Sequence, residues 1–290
     1  MFDQATDASF GAGINGSGVL MKQGAGRLTI EGTNGLTGGT WVNAGGLHVT
    51  GTLASSIVTV ASGARLSGTG TVGGVVLQSG GMVLPGASIG TLEVAGNYEQ
   101  AAGSVYEVEL NSLGQSDLIH ATGTATLAAG SSVNVVKLDS PRYVLGTRYT
   151  ILSADGGLTG TYTTITGATG VSAFIGLTAS YDATNAYLNV ARTRSFASAG
   201  NTVNQIHAAS GADNAGNGAM YTAIAYLPDN ASAQYAFDQV SGEIHASLRG
   251  ATLEDSRFIR EAMINRTVGS PTPGKGLFFH AYGSWGTFDG

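Results

Sequence analysis

The stretch Ile57-Val58-Thr59-Val60-Ala61-Ser62-Gly63-Ala64-Arg65-Leu66-Ser67-Gly68-Thr69-Gly70-Thr71-Val72-Gly73-Gly74-Val75-Val76-Leu77 decides the fold. Short apolar runs stand at either end, and glycine, serine and threonine fill the space between. The same texture extends outward to Leu28-Thr29-Ile30, Leu47-His48-Val49 and Leu92-Glu93-Val94. Each run reads as a strand of roughly three to five residues between glycine turns. From Gly32 to Leu92 the sole charged side chain is Arg65. Thr, Ser, Asn and Gly supply the polar surface where a sandwich would carry charge. Many very short strands, small polar turns and loose self-similarity predict a β-solenoid, whose coils bury apolar side chains against one another. At ~20 residues per coil, the first 192 residues would make roughly nine coils. The competing reading, a β-sandwich or jelly roll, calls for strands of about five to six residues.

Composition narrows the function. The chain has 290 residues, 46 of them glycine, with 13 basic and 19 acidic side chains and a net charge of −6. Phosphate neutralisation needs clustered Lys and Arg, so a nucleic-acid partner is not expected. Hydrophobic residues reach 42 %, which argues against charge-driven disorder. The glycines have no period of three and proline is scarce, which excludes collagen. With no cysteine, disulfides, Cys-ligated zinc and thiol catalysis are excluded. No run of about 20 apolar residues is present. Met1-Phe2-Asp3-Gln4-Ala5-Thr6 lacks the basic and apolar regions of a signal peptide, and the chain is expected to be part of a longer one.

The texture changes near Ser195. Met220, Ala223, Ile224 and Leu227 have helical spacing, Pro228 stops that helix, and Asp229 or Asn230 can cap the next. A last helix is expected from Glu243 to Arg266. After the breaker at 269–274, residues 276–288 form an aromatic stretch long enough for a transmembrane β-strand.

Local motifs carry little chemistry. Gly86-Ala87-Ser88-Ile89-Gly90 matches a nucleophile elbow, but a strand pattern follows where a helix is required. Gly11–Gly16 and Gly68–Gly73 match G-x-G-x-x-G without opening a helix. His48, His120, His207, His245 and His280 share no metal-ligand spacing. Glu107 and Glu109 project to one strand face. With Glu93, Glu99 and Asp117 they would form a local acidic patch, read as solvated rather than as a Ca²⁺ site. Trp41, Tyr98, Tyr106, Tyr143 and Tyr149 read as core or stacking residues rather than a binding strip. No residue is expected to carry catalysis or to hold a cofactor or metal.

Gly24-Ala25-Gly26-Arg27-Leu28-Thr29-Ile30-Glu31-Gly32, then Thr37-Gly38-Gly39-Thr40-Trp41-Val42-Asn43-Ala44-Gly45-Gly46-Leu47, resembles a passenger-associated repeat. Pro85-Gly86-Ala87-Ser88-Ile89-Gly90-Thr91-Leu92, with Gly96-Asn97-Tyr98, is similar to the start of an autochaperone segment. Gly114–Ile119 and Arg148–Leu152 continue it. Leu227-Pro228-Asp229 and Gln239–Ala246 resemble the helical segment before a barrel, and Tyr282-Gly283-Ser284-Trp285-Gly286 resembles a first barrel strand. In this order they resemble the C-terminal passenger region of classical (type V) autotransporters.

The resemblance implies an all-β, right-handed parallel β-helix, then a short α-helical segment and one truncated barrel strand. It implies passenger coils at 1–84, an autochaperone cap at 85–192, a helical linker or pore helix at 193–268, and a barrel start at 269–290. The implied partners are the protein's own C-terminal β-barrel, the outer-membrane assembly machinery and a host surface ligand. The implied location is the outer membrane or cell surface of a Gram-negative bacterium, or the medium after cleavage. Three functions compete: a stalk and autochaperone, an adhesin whose side binds a host protein or glycan, and a β-helical polysaccharide-degrading enzyme. A groove with three or more convergent acids would favour the enzyme.

Overall fold

The computed structural model describes residues 1–167 and 171–269. They fall into two compact units, Met1–Thr193 and the residues from Arg194 onward. The first is a parallel β-helix. One face stacks Phe2–Asp3, Leu20–Gln23, Thr40–Val42, Thr52–Val60, Thr71–Leu77, Thr91–Val94, Leu118–Ala121 and Arg148–Ala154. The second face stacks eight strands, Ala8–Phe10, Arg27–Ile30, Gly46–Val49, Arg65–Gly68, Met82–Pro85, Val105–Leu110, Ser132–Lys137 and Thr164–Thr166. Every pairing within these two stacks is parallel.

Register places like on like. Leu28 lies beside Leu47, Leu47 beside Leu66, Leu66 beside Val83, Val83 beside Tyr106 and Tyr106 beside Val133. All six are buried. Strand alternation explains the match: residues two apart point inward together, so one aligned pair aligns the whole rung. Lys22 is the exception. It occupies the inward column above Val42 and Val60 and is fully buried. Its Nζ donates to the carbonyls of Gln23 (2.6 Å), Gly24 (2.9 Å) and Ala44 (3.2 Å). Burial lowers its pKa from the ordinary lysine value.

The corner before the second face is a glycine ladder. Gly63, Gly80, Gly103 and Gly130 all have φ between 75° and 95°. Each sits two residues before its strand. Gly63 N–H donates to Gly80 O (2.9 Å), Gly80 N–H to Gly103 O (3.0 Å) and Gly103 N–H to Gly130 O (2.9 Å). A side chain would strain the left-handed backbone that aims these groups along the solenoid axis.

The coils widen along the chain, contrary to a constant step of about 20 residues. Leu28 to Leu47 is a step of 19 residues, Leu92 to Ile119 one of 27, and Ala125 to Leu158 one of 33. Eight rungs on the second face therefore replace the expected nine coils. The wider section is filled by Tyr98, Tyr106, Tyr143, Tyr149 and Phe174, all buried, where earlier rungs use Leu, Ile and Val. A third short ladder, Tyr98–Gln100, Ala125–Leu127 and Leu158–Gly160, continues from Val75–Leu77.

Parallel stacking then ends. Arg148–Ala154 pairs antiparallel with Asn185–Arg192, which pairs antiparallel with Ile175–Tyr181. Asp182 holds the connecting turn, accepting from Thr184 N–H (2.9 Å), Asn185 N–H (2.8 Å) and the Tyr187 hydroxyl (2.6 Å).

The second unit is helical: α1 (Val203–Ala215), α2 (Ala219–Ala225), α3 (Asn230–Ser241) and α4 (Glu243–Gly269). Thr202 and Gln205 form a capping box on α1, and Asp229 caps α3 through Ser232 N–H (2.8 Å). Gln205 Nε2 donates to Asp238 Oδ1 (2.8 Å), tying α1 to α3 above the buried Phe237. α4 runs three residues past the expected end at 266. No helix among the described residues is long and apolar enough to cross a membrane. The expected barrel strand at 276–288 lies outside the described residues.

Deleting one link of the inward ladder should be costly. Leu47→Ala is expected to destabilise the chain by about 2–5 kcal/mol in urea unfolding. Leu113→Ala, at a position 82 % exposed, should change it by under about 0.5 kcal/mol.

Candidate functional site

Outward side chains on the second face stack as regularly as inward ones. One column runs Thr29, His48, Ser67, Leu84, Glu107 and Asn134. The next runs Arg27, Gly46 and Arg65. The turn Gly86-Ala87-Ser88 forms a lip above them, and together they enclose a groove of about 860 Å³. Arg27 and Arg65 mark one end. Glu107, Glu109 and Asp117 mark the other.

Asp117 is the buried anchor of the acidic end. Its Oδ1 accepts Gly90 N–H (2.9 Å) and its Oδ2 accepts Glu109 N–H (2.8 Å). It thereby fastens the Pro85–Gly90 turn onto the neighbouring coil. Burial pushes its pKa up to about 7, with Glu109 and Glu107 adding to the rise against the two N–H bonds. Glu107 accepts from Asn134 Nδ2 (2.8 Å). Glu109 has its pKa raised by burial and then by Glu107, and its Oε2 is buried without a hydrogen-bond partner. His48 Nδ1 and the Ser67 hydroxyl share a hydrogen bond of 2.9 Å. Burial, then Arg27, lowers the His48 pKa.

Three carboxylates thus converge on one groove, the arrangement that would favour an enzyme. Their bonding points elsewhere. Both oxygens of Asp117 are committed to backbone N–H groups, and Glu107 is engaged by Asn134. The Ser88 motif is a turn: Gly86 has φ 85° and the strand Thr91–Val94 follows. Among the described residues no cluster of three or more His, Asp or Glu side chains has metal-binding geometry.

The expected five-acid patch does not form, because neighbouring strands face different sides. Glu93 lies on the first face, where its Oε2 meets His120 Nδ1 at 2.7 Å. His120 Nε2 lies 3.4 Å from Asp155 Oδ1. The hydrogen bond that Glu93 accepts, supported by Asp155, raises the His120 pKa. Glu99 belongs to the third ladder, beside Val76 and Thr126. Four of the five aromatics are core residues as read, but Trp41 is 42 % exposed. Sequence reasoning did not find the groove. Arg27, Arg65 and Glu109 are separated by some forty residues each, and only the rung register makes them neighbours. His207 and His245 lie on α1 and α4, and His280 lies outside the described residues. In the helical unit, Met220, Ile224, Leu227, Tyr235 and Val240 line an apolar cleft of about 570 Å³ between α2 and α3.

Two of the narrow rungs and their glycine turns coincide with a recognised repeat. Residues 20–49 match the passenger-associated-transport repeat. The chain is a type V autotransporter passenger sequence. It is 30 % identical over 302 aligned positions to an extracellular serine protease of Serratia marcescens, covering 87 % of this chain and 28 % of that protein. A second extracellular serine protease of Serratia marcescens is 34 % identical over 158 positions, 51 % of this chain and 15 % of its own length. Over 86 positions the autotransporter adhesin BmaC of Brucella suis biovar 1 (strain 1330) is 42 % identical, 28 % of this chain and 2 % of the adhesin. The autotransporter passenger chain therefore spans little more than a quarter of the first of these relatives and less of the others. Its relatives imply secretion or surface display by a Gram-negative bacterium. The protease and adhesin names belong to those longer proteins, and the shared stretch assigns no catalytic role to residues here.

Two titrations follow from these contacts. The Asp117 pKa is raised, so its contribution to stability is full below about pH 4 and is lost as pH rises through about 7. The Tm difference between wild type and Asp117→Asn should therefore be most favourable to wild type near pH 4 and shrink toward pH 8. The His120 pKa is raised too, so its contribution is present below about pH 6.5 and lost above its folded value. Melting of His120→Gln against wild type should show the larger loss at pH 5.5 and a smaller one at pH 8.5.

Proposed function

We propose that this autotransporter passenger segment is a stalk whose residues 85–192 template the folding of the coils that precede them. The observation that carries the reading is how the column ends: the antiparallel pair Ile175–Tyr181 and Asn185–Arg192 covers Arg148–Ala154. Parallel addition to that ladder is thus closed on its C-terminal side.

The energetics agree. Rungs from Tyr98 onward bury large aromatic rings and carry hydroxyl anchors. Tyr106 OH donates to Ile151 O (2.8 Å), and Tyr98 OH to Gln100 Oε1 (2.9 Å). Such a section can form a core by itself better than a narrow coil of small aliphatics can. Each added coil then buries Val or Leu side chains worth roughly 1.5–3 kcal/mol apiece against a surface already in place. Parallel pairing is non-local and slow without a template. In a chain crossing an outer membrane with its C-terminal end foremost, such stepwise burial would oppose backsliding. The protein's own β-barrel and the outer-membrane assembly machinery are the partners this reading requires, with α4 as a candidate occupant of the barrel lumen.

The test is kinetic. Val133→Ala, within the template, should slow refolding of the whole chain about tenfold, whereas Leu47→Ala should leave refolding within about twofold and speed unfolding instead. Pulsed hydrogen exchange should protect amides of 91–154 before those of 20–49. The reverse order, or slowing by Leu47→Ala alone, rejects the template.

A further inference from the structure

When glycine follows asparagine, its backbone nitrogen can reach the asparagine side-chain carbonyl, because no Cβ stands in the way. The chain holds three such pairs, Asn15-Gly16, Asn34-Gly35 and Asn217-Gly218. The fold ties down two of them. Asn15 lies in the paired strand Asn15–Gly16, and its Oδ1 accepts Gly35 N–H (3.0 Å). Asn34 is buried; its Oδ1 accepts Ile14 N–H (2.8 Å), and its Nδ2 donates to Glu31 O (3.1 Å) and Gly32 O (3.4 Å). The nitrogen that would attack Asn34 is the same Gly35 N–H that Asn15 holds, so one contact restrains both pairs. Asn217 differs. It is exposed, in the connector between α1 and α2. Among the described residues its side chain makes no hydrogen bond, and Gly218 N–H has no acceptor. The tethers of this connector fall on other atoms: Asn217 N–H donates to Ala215 O (2.8 Å), and Gly218 O accepts Thr222 N–H (3.0 Å). Gly216 and Gly218 flank the residue with φ of 68° and 99°. The space a Gly218 side chain would take is open among the described residues.

We propose that Asn217 is a site of spontaneous deamidation in the folded chain, converting to aspartate and isoaspartate while Asn15 and Asn34 stay intact. Gly218 N gives its proton to hydroxide and attacks Asn217 Cγ. The N–Cγ bond forms, the Cγ–Nδ2 bond breaks, and the amide nitrogen takes up a proton and leaves as ammonia. Water then opens the resulting succinimide. Cleavage of the new N–Cγ bond gives aspartate. Cleavage of the original peptide bond gives isoaspartate, whose main chain runs through Cβ and Cγ. Either product adds a carboxylate to a chain of net charge −6. Isoaspartate also adds one methylene to the connector, which the flanking glycines can absorb. Selectivity comes from the fold. Ring closure requires the backbone at the asparagine to rotate until nitrogen and Cγ meet. An exposed connector rotates without losing packed contacts, whereas residues 15 and 34 must first open stacked rungs. This inference is independent of the template, since it concerns the helical unit only.

The test incubates the full chain in mildly alkaline buffer made with heavy-oxygen water and reads peptides spanning the three pairs by mass spectrometry. Asn217 is expected to take up one heavy oxygen, as aspartate and isoaspartate, at least about tenfold faster than Asn15 and Asn34, which local opening holds back. In denaturing urea that protection is gone, and the three rates should converge to within about threefold. Ion exchange of the folded chain should resolve a more acidic form that grows in step. Asn217→Gln, whose longer side chain closes a ring far more slowly, should remove most of that form. Three results would each overturn the proposal. One is an Asn217 that stays an amide while a free peptide of the same local sequence converts. Another is equal rates at the three pairs in the folded chain. The third is an acidic form that grows undiminished in Asn217→Gln.

Discussion

The structure depends on one constraint: inward side chains of successive coils must meet in register. Leu28, Leu47, Leu66 and Val83 satisfy it without an offset. No coil excludes water alone, so each is stable only against its neighbours. A parallel stack also leaves two ends, and ends are where unpaired backbone is exposed. The antiparallel pair at 175–192 settles one of them. Its strands run counter to the column and so cannot accept a further parallel coil in the same sense.

Register has a second product. A ladder that aligns inward residues necessarily aligns outward ones, and an outward column is a surface with a repeat of about 4.8 Å. Over most of this chain that surface is Thr, Ser, Asn and Gly, and it carries no chemistry beyond solvation. On the second face the columns run from arginine to glutamate, and the Pro85–Gly90 turn is pinned over them by Asp117. One buried carboxylate therefore links the stability of the widening section to the shape of the groove. Asp117 resembles a capping residue more than a catalytic acid, because both oxygens are spent on backbone N–H groups.

Widening of the coils has a physical reason. An insertion between rungs lengthens a turn without disturbing the strands that stack, and the entropic cost of a longer loop grows slowly. Asn111–Gln115 and the stretch before Arg148 are such insertions. The larger section needs larger side chains to stay dry, and the buried tyrosines supply them. The hydroxyls of Tyr106, Tyr149 and Tyr98 find acceptors in Ile151 O, Asn111 O and Gln100 Oε1, whereas those of Tyr143 and Tyr162 are buried without a partner. The same autotransporter passenger chain is therefore aliphatic and narrow at one end and aromatic and wide at the other.

Short apolar runs between glycines determined the solenoid from sequence alone, because strand length and turn chemistry are local. The change of texture at Ser195 and the cap at Asp229 belong to the same local class. The glycine corner was legible too: Ser62-Gly63, Ser79-Gly80, Ala102-Gly103 and Ala129-Gly130 each stand two residues before a strand. Only the tertiary structure decided which residues share a column. The step between coils grows from 19 to 33 residues, so no fixed period aligns Arg27 with Arg65 or brings Glu109 beside Asp117. Burial of Lys22 and Asp117, the partnering of Glu93 with His120, and the antiparallel closure rest on contacts between residues far apart in the chain. A sequence records such contacts only through patterns, and here the pattern changes its period as it goes.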